Sequence, residues 1–143
     1  MTSLRLPYFT LSHDAYMGLS ATKKALEKSS LGKTLIELVY LRVSQINGCA
    51  FCLEMHAKSL RAAGVDNAKI DALAGWRVSN HFVEKEKAAL QWTEALVNVD
   101  KSFAADEYFA PLHAFFSDSE ISDLTFAISL MSAFNRLAIG MRQ

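Results

Sequence analysis

The chain's two cysteines stand close together, Cys49 and Cys52, in the stretch INGCAFCLEMH, which ends at His56. On an α-helix each residue turns about 100°, so Cys52 falls about 300° and His56 about 340° round from Cys49. All three then share one face, and Cys52 and His56 are neighbours at i,i+4. Cys49 would stand at the start of such a helix, where free N–H groups and the helix dipole stabilise an anion and favour a reactive thiolate.

Three chemistries fit this cluster. A metal clamp would have Cys49, Cys52 and His56 as ligands. A structural zinc needs four, so Glu37, His81 or a neighbouring chain would have to add the last. Two inert core cysteines beside a satisfied histidine are the plain structural alternative. A redox pair is favoured by the C-x-x-C spacing at a helix start and by the same-face histidine. A close pair in a reducing compartment is also more often catalytic or metal-binding than a permanent staple.

Glu37, twelve residues before Cys49, adds to the redox case. It is a carboxylate inside the most apolar segment of the chain, and burying it ionised and unpaired is very costly. On its own helix Tyr40 and Ser44 lie near it, whereas Arg42 points the other way. If the helices on either side of the Asn47–Gly48 turn pack antiparallel, Glu37 faces His56. A carboxylate that orients a histidine, which in turn polarises a thiol, is a complete proton relay.

The elements that must position these groups read as helices. With 143 residues, 51% hydrophobic and 21% charged, the chain has the composition of one globular domain, taken here as residues 1–143. No segment keeps a period of two, which predicts an all-α bundle of about seven helices. The spans expected are residues 12–29, 33–45, 48–64, a short one opened by Asp66, 83–99, 105–116 and 117–141. Gly64 ends the third, Pro111 splits or kinks the sixth, and Ser119 caps the seventh. IELVYLRV has β-branched content that would suit a strand, but its place in a longer apolar window favours a helix. The second and seventh helices are apolar round most of their circumference and must be buried in the core or between subunits. Burying two such helices is easier in an oligomer.

Lys and Arg together number 15, as do Asp and Glu, giving no formal net charge. That balance argues against nucleic-acid binding and against a basic membrane patch. No secretory signal is visible, and no uncharged apolar run reaches the ~20 residues a membrane span needs. A soluble, cytoplasmic protein is the expectation. His13 and His113 read as structural, and His81 is the one other histidine to inspect near the site. Trp76 and Trp92 read as core or interface anchors. Asn135 and Arg136, after an uncharged run, call for hydrogen-bonded partners. Leu6, Tyr8 and Phe9 could form an arm that clasps a neighbour.

Glu37, then eleven residues, then Cys49-x-x-Cys52-x-x-x-His56 resembles the core motif of AhpD-like alkylhydroperoxidases of the carboxymuconolactone decarboxylase-like superfamily. WRVSNHFVEKEKAALQWTEAL and SDSEISDLTFAISLMSAFNRL supply similar context, so the resemblance runs over about residues 33–137. It implies an all-helical fold assembled into trimers or hexamers, no cofactor or metal, and thiol peroxidase activity. Cys52 would attack the peroxide, Cys49 would resolve the sulfenic acid as a disulfide, and Glu37 and His56 would relay protons. An external dithiol, a lipoylated carrier in some relatives, would reduce the pair again. The resemblance thus makes Cys52 the attacker, where the helix N-terminus alone favours Cys49. Phe51 stands where the best-studied branch has a second histidine, which shortens the relay. A thiol–disulfide oxidoreductase or redox sensor without peroxidase activity, and a structural protein with inert cysteines, are the alternatives.

Overall fold

Apolar residues at helical spacing, with few prolines to interrupt them, fold as helices in a computed structural model of the chain, which describes residues 3–143. Among the described residues there is no strand. Nine helices follow in order: α1 (Tyr8–Leu11), α2 (His13–Leu26), α3 (Lys33–Asn47), α4 (Ala50–Ala62), α5 (Asn67–Asp71), α6 (Glu84–Val97), α7 (Val99–Ser102), α8 (Asp106–Phe109) and α9 (Asp118–Met141). Two 3₁₀ turns, Leu73–Gly75 and Ala110–Ala114, lie between them.

The expected number was about seven; α1 and α7 are the additions, each four residues long. Segments this short lack the repeated apolar spacing by which a helix is read from sequence. The expected sixth helix is broken at Pro111 into α8 and a 3₁₀ turn. Ser119 is not the cap of α9. Ser117 is: its hydroxyl accepts from the Glu120 N–H, while the Glu120 carboxylate accepts from the Ser117 N–H, a complete capping box. The S-x-x-E spacing that fits this box begins at Ser117.

α3 is the central element and packs on α4, α6 and α9. Its IELVYLRV segment is helical throughout, and Leu38, Val39 and Val43 are fully buried. Burying one such side chain contributes roughly 1.5–3 kcal/mol, which explains why the β-branched content does not make a strand here. The apolar core divides on either side of α3. One part joins α3 to α6 and α9 through Trp92, Leu124 and Met131. The other joins it to α4 and α6 through Leu60, Leu73, Trp76 and Leu90. By length and composition α9 could cross a membrane. In this fold it packs along α3, α6 and α2 and carries the buried Asn135, leaving Phe126 59% exposed.

The N-terminal arm is hydrogen-bonded to the C-terminal end. The Arg5 N–H donates to the Met141 carbonyl at 2.7 Å, and the Tyr8 hydroxyl donates to Gln143 Oε1. The arm, for which contact with a neighbour is the expectation, is tied to the C-terminal end of its own chain and leaves Leu6 50% exposed.

Candidate active site

The turn between α3 and α4 places the cysteines. α3 ends at Gly48, whose φ of 72° is left-handed and suits glycine. The Ser44 carbonyl accepts from both the Gly48 and Cys49 N–H groups, at 2.9 and 3.1 Å. Cys49 then becomes the N-cap of α4 in extended conformation, and its sulfur accepts from the Cys52 N–H at 3.3 Å. The two cysteines are joined as a disulfide with Cα atoms 5.3 Å apart, inside the usual range.

A polar pin behind this turn holds it to α9. The Asn135 amide is fully buried, donates to the Ser44 hydroxyl at 3.1 Å, and accepts from the Asn47 amide at 3.1 Å. Ser44 in turn donates to the Tyr40 carbonyl at 2.8 Å. Asn135 therefore has the partners its burial demands, and they lie within its own chain. Arg136 beside it is exposed.

α3 and α4 pack across the turn so that Glu37 meets His56. Glu37 Oε2 lies 2.7 Å from His56 Nδ1. His56 is 1% exposed and the Glu37 side chain 12%. With Nδ1–H donating to the carboxylate, the neutral imidazole keeps its lone pair on Nε2. Among the described residues Nε2 is the one buried side-chain nitrogen or oxygen without a hydrogen-bond partner. The ring of Tyr40 lies 5.2 Å from the imidazole. Burial, then the nearby charges of Glu37 and Glu27, hold the Tyr40 phenol well above its ordinary range, so it stays neutral. Arg42, on the other side of α3, pairs with Glu94 at 3.0 Å.

The two sulfurs line different openings. Cys52 lines a cavity of about 210 Å³ between α2, α4 and α9, walled by Tyr8, Tyr16, Phe51, Met55, Met131 and Phe134. Cys49 lines a separate opening of about 140 Å³ with Gly48, Ala50, Ile139 and Arg142. Phe51, Ala138 and Gln143 border both. Glu37 lines a third cavity, of about 370 Å³, with Lys23, Glu27, Lys33 and Tyr40.

His81 is exposed in the turn before α6 and lines none of these cavities. His13 and His113 are exposed as well. Among the described residues no cluster of three or more His, Cys, Asp or Glu side chains is arranged to hold a metal. Trp76 and Trp92 are buried and donate to Glu94 and Thr125. The α2 face at Tyr16, Ser20 and Lys23 was missed in the sequence, although its i, i+4, i+7 spacing is a readable signal.

A helical bundle with this cysteine pair at the mouth of its fourth helix has the AhpD-like fold. The chain belongs to the carboxymuconolactone decarboxylase family, whose profile matches residues 12–95, more than half of it. It is 30% identical over 139 residues to the uncharacterized protein YdfG of Bacillus subtilis, covering 97% of this chain and 95% of that protein. It superposes with a TM-score of 0.94 and 37% identity on a crystal structure from Agrobacterium tumefaciens, covering 99% of this chain and 97% of the other. That protein is described as of unknown function and as a candidate antioxidant defence protein AhpD. A shorter match, 50% identical over 38 residues, is to the alkyl hydroperoxide reductase AhpD of Bradyrhizobium diazoefficiens. It covers 27% of this chain and 21% of that one.

Proposed function

We propose that the chain is a thiol peroxidase whose working groups are Cys52, Cys49, His56 and Glu37. The observation that carries this is the unpartnered His56 Nε2, buried one helical turn from Cys52 with its other nitrogen tied to Glu37. A buried polar atom left without a partner needs a reason. A base or acid for a thiol that is at present locked in a disulfide supplies one.

The steps balance as follows. His56 Nε2 takes the Cys52 thiol proton, the thiolate attacks the terminal peroxide oxygen, the O–O bond breaks, and the alkoxide leaves as an alcohol with that proton. Sulfur is oxidised to the sulfenic acid. The Cys49 thiolate attacks that sulfur, the S–S bond forms, and hydroxide leaves as water with a proton from the relay. That step would leave the Cys49–Cys52 disulfide, the pairing this structure carries. An external dithiol, a lipoylated protein being one chemical fit, returns two electrons and two protons. Cys52 is preferred as attacker because it lines the larger of the two cavities beside the pair. A cytoplasmic setting suits a pair that must be reduced again, and a homo-oligomer is part of the same reading.

Single-cysteine variants test this. Cys49→Ser should accumulate a trappable sulfenic acid after hydroperoxide, whereas Cys52→Ser should give none. Trapping in Cys52→Ser alone would reverse the assignment. Loss of thiols without turnover of hydroperoxide and dithiol would favour a redox sensor instead.

A further inference from the structure

The cavity that Cys52 lines has mixed polar and apolar walls, with one cationic side chain, Lys23, and no acidic side chain. Its walls are well fixed. Tyr8, Tyr16 and Phe134 stack edge to face at 6.1 and 6.2 Å, and the Tyr8 hydroxyl is spent on Gln143. Lys23 comes from α2, one turn past Ser20 and two past Tyr16, so the same helix face offers ring, hydroxyl and ammonium in a row. It is half-buried, and among the described residues it takes part in none of the ion pairs. Lys23 also borders the neighbouring cavity, which Glu27 and Glu37 line, but it is ion-paired with neither, and Glu37 is already bonded to His56. At about 210 Å³ the Cys52 cavity is below the scale of about 300–1,000 Å³ typical for drug-sized ligands, so it suits a small organic molecule.

We propose that this cavity takes organic hydroperoxides with a compact apolar body and a carboxylate, the carboxylate pairing with Lys23 while the hydroperoxide meets Cys52. This rests on the thiol peroxidase function proposed above. The aromatic and methionine walls take the apolar body, and the single ammonium among the lining side chains recognises the anion by a charge-assisted hydrogen bond. The redox step is unchanged: the hydroperoxide is reduced to the hydroxy acid and the cysteine pair is oxidised.

The test uses a matched pair, 4-(2-hydroperoxypropan-2-yl)benzoate and the corresponding benzamide, which differ in charge and little in shape. The full chain is reduced, and loss of free thiols is followed by stopped flow. The benzoate should oxidise the pair about tenfold faster, the scale of one charge-assisted hydrogen bond in a partly screened site. The preference should fall to near one in Lys23→Met and persist in Lys23→Arg. With no formal net charge on the chain, bulk attraction does not produce such a ratio. Equal rates for the two compounds overturn the carboxylate preference and leave the peroxidase intact.

A second arm is independent of the chemistry. Binding of unreactive 4-isopropylbenzoate and 4-isopropylbenzamide to the full chain is measured by titration calorimetry. Tighter binding of the benzoate, lost in Lys23→Met, supports the site even if neither hydroperoxide reacts. In that case only the peroxidase function is lost. Equal or absent binding of both overturns the site.

Discussion

Glu37→Gln isolates what the relay's carboxylate does. Glutamine keeps the shape and offers a neutral oxygen to His56 Nδ1, which now lies 2.7 Å from the carboxylate. A hydrogen bond to a charged group contributes about 1.5–3 kcal/mol and a neutral one about 0.5–1.5 kcal/mol, so stability should fall by about 1–1.5 kcal/mol. A domain with even ~5 kcal/mol to begin with keeps its unfolded fraction below roughly one in three hundred. Unfolding therefore cannot explain any large loss of rate. The rate itself should fall about 100-fold, the lower end of what a positioned acid–base group supplies, because the imidazole stays in place but loses its charged partner. The assay is stopped-flow loss of thiols from the reduced chain under excess hydroperoxide, with a urea titration alongside. His56→Gln should cost at least as much, and the double variant no more than His56→Gln alone, since groups acting as a unit are not additive. A Glu37→Gln chain oxidised within about threefold of the parent rate, or a double variant showing additive losses, would refute the relay.

Two further outcomes concern the frame around the site. Burial alone would raise the Glu94 carboxyl, but hydrogen bonds from Trp76 and Arg77 and the charges of Arg42 and Arg77 outweigh it and hold it below the ordinary range. A depressed carboxyl contributes stability that is fully present above the unfolded value near 4.5 and is lost as pH falls through the folded one. Arg77 is 53% exposed, so its share is small; Glu94→Gln should cost about 2 kcal/mol near neutral pH. Denaturation midpoints of parent and variant should draw together as pH falls below the unfolded value near 4.5, and a constant gap would contradict the assignment. Asn135→Ala removes the pin between α9 and the cysteine turn and should cost about 2 kcal/mol in urea denaturation; a cost under about 0.5 kcal/mol, the scale of an ordinary surface change, would show the pin to be dispensable.

Much of the site can be read from the sequence because its spacing is local. Cys49, Cys52 and His56 lie within two turns of one helix, and helix period alone puts them on a face. Glu37 needs one long-range step, the antiparallel packing across the Asn47–Gly48 turn, and the cost of burying an unpaired carboxylate predicts it. What cannot be read is whatever comes from far along the chain. Asn135 meets Ser44 across 91 residues and Tyr8 meets Gln143 across 135. No periodicity encodes those pairs. Lys23 is intermediate: its helix face is visible, but only the fold shows that the face looks toward Cys52. α1 and α7 escape for another reason, being single turns whose shape is set by their neighbours rather than by propensity.

The position of Cys49 at a helix N-terminus argues that it carries the better thiolate, which has to be squared with the proposal of Cys52 as attacker. An anion at Cys49 is useful in either role, since a resolving thiol must also attack as a thiolate. The dipole therefore does not tell attacker from resolver. On the proposed mechanism access favours Cys52, which lines the larger opening, while Cys49 lines a smaller separate one. Phe51 stands at the border of both. A histidine there would add a second proton-transfer group between the sulfurs, whereas phenylalanine adds only an apolar wall. On the proposed mechanism the chain therefore depends on His56 alone for proton transfer at the pair, and this is why the Glu37–His56 contact is where its chemistry is most exposed to a single substitution.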